Sequence, residues 1–301
     1  MVPLRLVGMM VGSAACWGLG LVLSKALLHE LPAGILLAVQ LGTSVCLLWA
    51  MTGAAGRIPP PSWVLARVSL TGWLEPGLSY LFGLLGLALT TASQAALLGA
   101  TEPLWVMGLA TVILGESLPR HLQVLAGLAF LGVVLVVGAT PHVSVGQHLW
   151  GDGLVLLGTL CAALYVVLSG RAVSQTHPLP LAAVQQTAGL ILIGLLTHWG
   201  WTGDTTLAFS SVAWWVWVGA ALSGLMQYGL AFWLYLSGLR ELPVSQAALF
   251  LTLIPVFGVL GGWLFLGETL TSGQFLGAGL ILGALILMQR QGLTVAGRPP
   301  R

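Results

Sequence analysis

The chain has 301 residues, 57% of them hydrophobic and 6% charged, and a formal net charge of +2. A soluble domain covers itself with about 25% charged residues, so composition excludes a water-facing globular protein, and so small a charge offers no footprint for nucleic acid. The apolar runs show no strand alternation, so the expected class is an all-α integral membrane protein.

A spanning helix needs about 20 apolar residues, and the chain offers ten such runs, at roughly 5–28, 33–53, 64–88, 92–114, 121–139, 150–171, 179–199, 212–237, 243–265 and 273–290. Turn chemistry separates them at His29-Glu30-Leu31-Pro32, Arg57-Ile58-Pro59-Pro60-Pro61, Leu118-Pro119-Arg120 and His177-Pro178-Leu179-Pro180. Little more than Thr90-Thr91 joins the third and fourth runs, which predicts a tight hairpin. Met1 to Leu28 has the Arg5 and the small-residue patch, Gly12-Ser13-Ala14-Ala15, of a signal peptide. The apolar run continues past that patch, so it is expected to stay as a helix. Cys16, Cys46 and Cys161 all fall inside apolar runs, where they read as small buried hydrophobes without a disulfide framework.

With the N-terminus in the cytoplasm, all nine arginines fall inside or at the inner boundary: Arg5, Arg57, Arg67, Arg120, Arg171, Arg240, Arg290, Arg298 and Arg301. Both termini are therefore expected to be cytoplasmic. Lys25, the remaining basic residue, lies near the outer end of the first run.

The stretch Ser93 to Glu116, SQAALLGATEPLWVMGLATVILGE, returns as Ser245 to Glu268, SQAALFLTLIPVFGVLGGWLFLGE. Extended to Val136 and Met288, the two copies keep one offset and share fourteen of forty-four positions, including Pro103/Pro255 and the closing Leu-Gly-Glu. Earlier matches join Cys16 to Cys161, Ser24 to Ser169, and Ala38-Val39-Gln40 to Ala183-Val184-Gln185. Five helices is an odd number, so a second copy enters the membrane upside down. The expected domains are a first five-helix repeat at 1–140, an inverted second repeat at 150–290, and a cytoplasmic tail at 291–301. Inverted repeats characterise secondary transporters, whose substrate site lies near the midplane between the halves.

Cys16-Trp17-Gly18 and Ser24-Lys25 in the first run, Pro103 and Leu114-Gly115-Glu116 in the fourth, Gly127, Gly151-Asp152, and then Pro255, Gly267-Glu268 and Gly279 together resemble the EamA family of the drug/metabolite transporter superfamily. The resemblance covers nearly the whole chain. It implies an inner-membrane carrier, often an exporter of amino acids or other small metabolites, whose cavity is lined by helices one, three, four, six, eight and nine. Many relatives carry an arginine where this chain has Gln40, so no anion role transfers to that position.

Charged groups within spans are costly and mark functional sites. Glu75 and Glu102 stand halfway along the third and fourth runs, at similar depth, each followed by proline (Pro76, Pro103) that frees a carbonyl beside the carboxylate. Two carboxylates close together in a low dielectric hold a proton more readily than two charges. The pair is expected to bind a proton, a cationic substrate or the amino group of a zwitterion; the plainer reading is a protonated acid packing one helix to another. Their counterparts are Gln227 and Ile254. Lys25 reads either as a snorkelling cation or as the partner of an acid or a substrate carboxylate. Gln40 and Gln185 can cross-link helices or line a polar path. Gln94 and Gln246 read as packing or gate residues, and Glu116 and Glu268 as structural helix ends. Trp63, Trp150, Trp199, Trp201, Trp214 and Trp215 suit an interfacial belt. Trp17, Trp105, Tyr80, Tyr165, Tyr228 and Trp233 fall deeper, where rings pack the core or cage an ammonium. Trp105 lies one turn from Glu102. Pro76, Pro103 and Pro255 are expected to kink their helices. The six histidines lie at helix ends or loops without metal-ligand spacing, and no nucleotide loop or nucleophile elbow is present.

The expected function is export of a small amphipathic metabolite, most of all an amino acid or related amine, by a non-enzymatic, cofactor-free and monomeric carrier with a proton as candidate coupling ion. Two alternatives stand beside it: an integral membrane enzyme acting on lipid headgroups with Glu75 and Glu102 as acid and base, and a non-transporting membrane partner. An enzyme would keep its acids near an interface under polar loops, and a partner would need no mid-membrane charge.

Overall fold

A computed structural model describes residues 3–60, 63–114, 120–138, 145–173, 177–202, 212–239, 250–251 and 253–296. These are nearly all helical, with no strand among the described residues. In order they form α1 (Leu4–Leu27), α2 (Ala33–Ala54), α3 (Trp63–Ser69), α4 (Ser79–Leu89), α5 (Ala92–Gly99), α6 (Glu102–Leu114), α7 (Arg120–Gly138) and α8 (Val145–Val173). Then come α9 (Pro178–His198), α10 (Trp214–Gly224), α11 (Ala231–Leu239), α12 (Ile254–Leu266) and α13 (Ser272–Ala296). Five helical stretches are long and apolar enough to cross a membrane: Leu4–Leu27, Ala33–Ala54, Ala92–Ile113, His148–Leu168 and Leu179–His198. Shorter apolar helices run over Gln123–Val136, Ile254–Leu266 and Ser272–Leu287.

Three of the runs expected to be continuous are interrupted. Between α3 and α4 the chain tightens into a 3-10 turn (Leu70–Trp73) and then widens into a π turn (Leu74–Leu78). Glu75 there is extended, at φ −140° and ψ 121°, and Pro76 follows with no N–H to give the ladder. A second π turn, Leu225–Leu230, separates α10 from α11 without any proline. The third interruption falls between Gly99 and Glu102. This last one corrects the reading of Pro103 and Pro255 as kinks inside continuous helices. Each is the second residue of a helix, α6 and α12 respectively. In that first turn the missing N–H has no partner to lose, so both prolines start helices where bends were expected.

Packing pairs elements across the chain. α1 lies on α12, α11 and α10; α8 lies on α4 and α6; α2 meets α9; and α7 meets α13. α2 also packs on α10 and its π turn, while α9 packs on α3 and its 3-10 and π turns. Small residues permit these approaches. A Cβ on Gly224 would overlap the backbone oxygen and Cα of Gln40, and one on Gly72 would overlap the backbone of Gln185. Gly132 and Gly277 face each other across α7 and α13, each blocking the other's Cβ with its carbonyl oxygen.

Gly72→Ala and Gly224→Ala should therefore each destabilise the protein by about 1–3 kcal/mol through overpacking against backbone, read as a lower melting temperature in detergent. Gly153→Ala in α8, where a Cβ meets open space, should leave the melting temperature unchanged or raise it, by up to about 1 kcal/mol of helix propensity.

Candidate functional site

The two carboxylates meet where helices are interrupted. Glu75 is the extended residue of the Leu74–Leu78 turn and Glu102 is the first residue of α6, and each lies within the other's field. The Tyr80 hydroxyl stands beside the Glu75 carboxylate. Its ring stacks on Tyr228 with centroids 4.6 Å apart and planes 22° apart. Tyr165 approaches Glu75 and donates its hydroxyl to Gln185 Oε1 at 3.0 Å. Tyr235 approaches Glu102. Of the chain's four tyrosines, three lie in the field of this pair and the fourth, Tyr228, stacks on one of them. Trp17 completes the group, edge-on to Phe232 at 5.3 Å and to Tyr235 at 5.6 Å. Glu75, Glu102, Tyr80, Tyr165, Tyr235 and Trp17 are half-buried, and the space that they border between the helices is the candidate recess.

The two glutamines cross-link helices around this recess. Gln40, fully buried on α2, donates Nε2 to Ser24 Oγ at 2.9 Å and to Ser223 Oγ at 2.8 Å. Gln185, on α9, donates Nε2 to Thr71 Oγ1 at 2.9 Å. Ser24 Oγ in turn donates to Gln227 Oε1 at 3.2 Å, and Gln227 stands in the Leu225–Leu230 turn as Glu75 stands in its own. Pro76 is buried in the interrupted segment, close to the Cα face of Gly189.

Three expectations change. Lys25 does not reach the acidic pair. Its Nζ donates to the carbonyls of Leu87 at 2.7 Å and Ala88 at 3.3 Å, and the acid in its field is Glu268. A cation there satisfies the carbonyls that end α4 and opposes the negative end of the helix dipole. Trp105 and Trp233 are exposed, at 36% and 40%; the side of α6 that carries Trp105 faces outward, and neither ring joins the group around the pair among the described residues. Tyr235 and Phe232 were not singled out. The signal for Tyr235 was its spacing: seven residues after Tyr228, two turns on, it shares that helix face.

The profile of the EamA-like transporter family matches residues 4–138 and 149–290. The chain belongs to this family. Among curated relatives, it is 27% identical to the uncharacterized transporter YyaM of Bacillus subtilis over 73% of both chains. It is 26% identical to PecM of Dickeya dadantii over 89% of this chain and 82% of that one. It is 29% identical to the threonine/homoserine exporter RhtA of Escherichia coli over 69% and 65% respectively. A solved crystal structure superposes with a TM-score of 0.66, covering 93% of this chain and 97% of that chain at 16% identity, which establishes a shared fold. This protein is accordingly a multi-pass membrane protein and an EamA transporter.

One end of this EamA transporter is tied by a second polar group. Glu268 accepts from the backbone N–H of Ala92 at 2.7 Å and of Ser93 at 2.8 Å, and from Ser93 Oγ at 2.6 Å, so it holds the orphan donors that start α5. Thr90 Oγ1 and Gln94 Nε2 donate to Asp152 at 2.9 and 2.6 Å, and Gln274 Nε2 donates to Gln94 Oε1 at 2.9 Å. Asp152 and Gln94 are fully enclosed. Glu116 and Gln246, the corresponding residues of the other copy, lie outside the described residues.

Because Lys25 and Glu268 brace the same α4–α5 hairpin, Lys25→Met and Glu268→Gln should each lower the melting temperature in detergent. Hydrogen bonds to charged groups contribute about 1.5–3 kcal/mol each, and the double variant should lose less than the sum of the two single losses.

Proposed function

We propose that this EamA transporter is a secondary carrier that exports a small amphipathic metabolite bearing an amino group, an amino acid or related amine, by alternating access around the Glu75–Glu102 recess. The observation that carries the reading is the convergence of two carboxylates and the tyrosines Tyr80, Tyr165 and Tyr235 at helix interruptions. Irregular backbone inside a membrane is tolerated where it lines a cavity, and charged groups there are functional by default. The similarity to RhtA, a threonine/homoserine exporter, supports the direction and the amino group.

The carrier consists of two inverted five-helix repeats, 1–140 and 150–290, with ten crossings, both termini cytoplasmic and the 291–301 tail inside, in the inner membrane and as a monomer. Several observations support the duplication. The π turns fall at Leu74–Leu78 and Leu225–Leu230, around the aligned residues Glu75 and Gln227. Gln40 donates to Ser223 as Gln185 donates to Thr71. Gly224 closes on Gln40 as Gly72 closes on Gln185. The arginine distribution supports the orientation.

Either carboxylate can hold a proton or the substrate's amino group, and competition between them couples export to proton entry. The alternative of a lipid-headgroup enzyme is less favoured, because its acids would belong at an interface and this pair lies deep in the bundle. The test is counterflow in proteoliposomes loaded with amino acids and amines at several pH values. Exchange by the unmodified protein should vary with pH. Glu102→Gln should reduce it at least tenfold, or leave a residual rate that no longer depends on pH. Unchanged exchange and pH response in Glu102→Gln would remove the pair from the mechanism.

A further inference from the structure

Amino acids and amines differ by one carboxylate, and the recess treats that group very differently from the ammonium. Among the described residues, the groups that share the field of Glu75 and Glu102 are each other, Tyr80, Tyr165 and Tyr235. None is a Lys, Arg or His. Lys25, the one basic residue predicted within a span, is committed to the end carbonyls of α4 and to Glu268. The arginines fall at helix ends and in the tail by sequence. Gln40 is a neutral amide, held by Ser24 and Ser223.

One buried acceptor nearby is unspent. Gln40 Oε1 is fully buried and accepts from nothing, although both of its amide donations are used. It belongs to the chain Ser223–Gln40–Ser24–Gln227, which borders Tyr228. A buried acceptor without a donor calls for a ligand or water that brings N–H or O–H. The walls between are rings: the Tyr80–Tyr228 stack and the Trp17, Phe232 and Tyr235 group. Ring faces attract a cation and repel an anion through their quadrupole.

We infer that the recess selects organic amines, cations with an aromatic or apolar body and no carboxylate, and rejects the corresponding zwitterionic amino acids. This rests on the carrier reading proposed above. An ammonium finds two carboxylates and aromatic faces. A substrate carboxylate finds no basic partner, and would be desolvated beside acids of its own sign. Rejection of the wrong ligand by an unpaired, like-signed charge is how a site discriminates between molecules that share most of their surface.

Matched pairs test this directly. Counterflow would be measured with tyramine against tyrosine, phenethylamine against phenylalanine, and cadaverine against lysine, with binding followed in parallel as a rise in melting temperature in detergent. The amines should exchange at least tenfold faster than their parent amino acids and should alone stabilise the protein, and Glu75→Gln should narrow the ratio. Amino acids exchanging within about threefold of their amines would overturn the inference and leave the carrier standing. Amines that stabilise the protein but are not exchanged would uphold the selectivity and overturn the carrier. Neither binding nor exchange of any pair would overturn both.

Discussion

A helix that opens inside hydrocarbon leaves backbone groups that water cannot reach, at a cost comparable to lost hydrogen bonds. This chain opens a helix at Leu74–Leu78, widens one at Leu225–Leu230 while keeping its hydrogen bonds, and opens another just before Glu102, and neighbouring helices cover these places. α8 and α9 close over the first; α1 and α2 close over the second. Where backbone is irregular and enclosed, a polar side chain adds least to a cost already met. Glu75, Gln227 and Glu102 stand at these positions and at no regular mid-helix site. The glycines Gly72 and Gly224 complete the arrangement, since only a residue without a Cβ lets the neighbouring helix come close enough to shield the open turn.

The two sides of the recess share a scaffold and differ in chemistry. On one, Glu75 meets Tyr80 and Tyr165, and Tyr165 is held by Gln185. On the other, Gln227 meets Ser24, which is held by Gln40. Position 20, which aligns with Tyr165, is glycine, and Gln227 lies directly against it. One side thus spends its space on a ring and a charge, the other on close contact and neutral amides. A substrate with one charged end and one apolar body has a single favourable way to lie between them.

Much of this could be read from the chain. Glu75 and Glu102 declared themselves by cost, since a carboxylate between apolar runs has few structural uses. Gln40 and Gln185 declared themselves by recurrence at one offset. The helix interruption at Glu75 carried a proline as its mark, but the matching one around Gln227 has none, because a π turn keeps its hydrogen bonds and needs no special residue. Lys25 misled because one-dimensional depth does not say which neighbour a long side chain reaches; the end of α4 lies beside it only once α1 and α4 are packed. Trp105 misled for the opposite reason. Both residues lie in α6 one turn apart, but a shared helix side does not carry a ring to the pair, and the Trp105 side chain is exposed.

The crossed amide bonds have a further consequence. Gln40 donates to Ser223 as well as to Ser24 beside it, and Gln185 donates to Thr71, so each glutamine reaches a hydroxyl in the other part of the chain. Under the repeat reading, Thr71 is the first half's own copy of Ser223. Two copies of that half, inserted in opposite directions, would each offer a hydroxyl to the other's glutamine with the same geometry. Under that same reading, the bonds that hold this one polypeptide together are the ones two separate, oppositely inserted copies would share, and a single joined chain can change Glu75 or Gln227 on one side without the other.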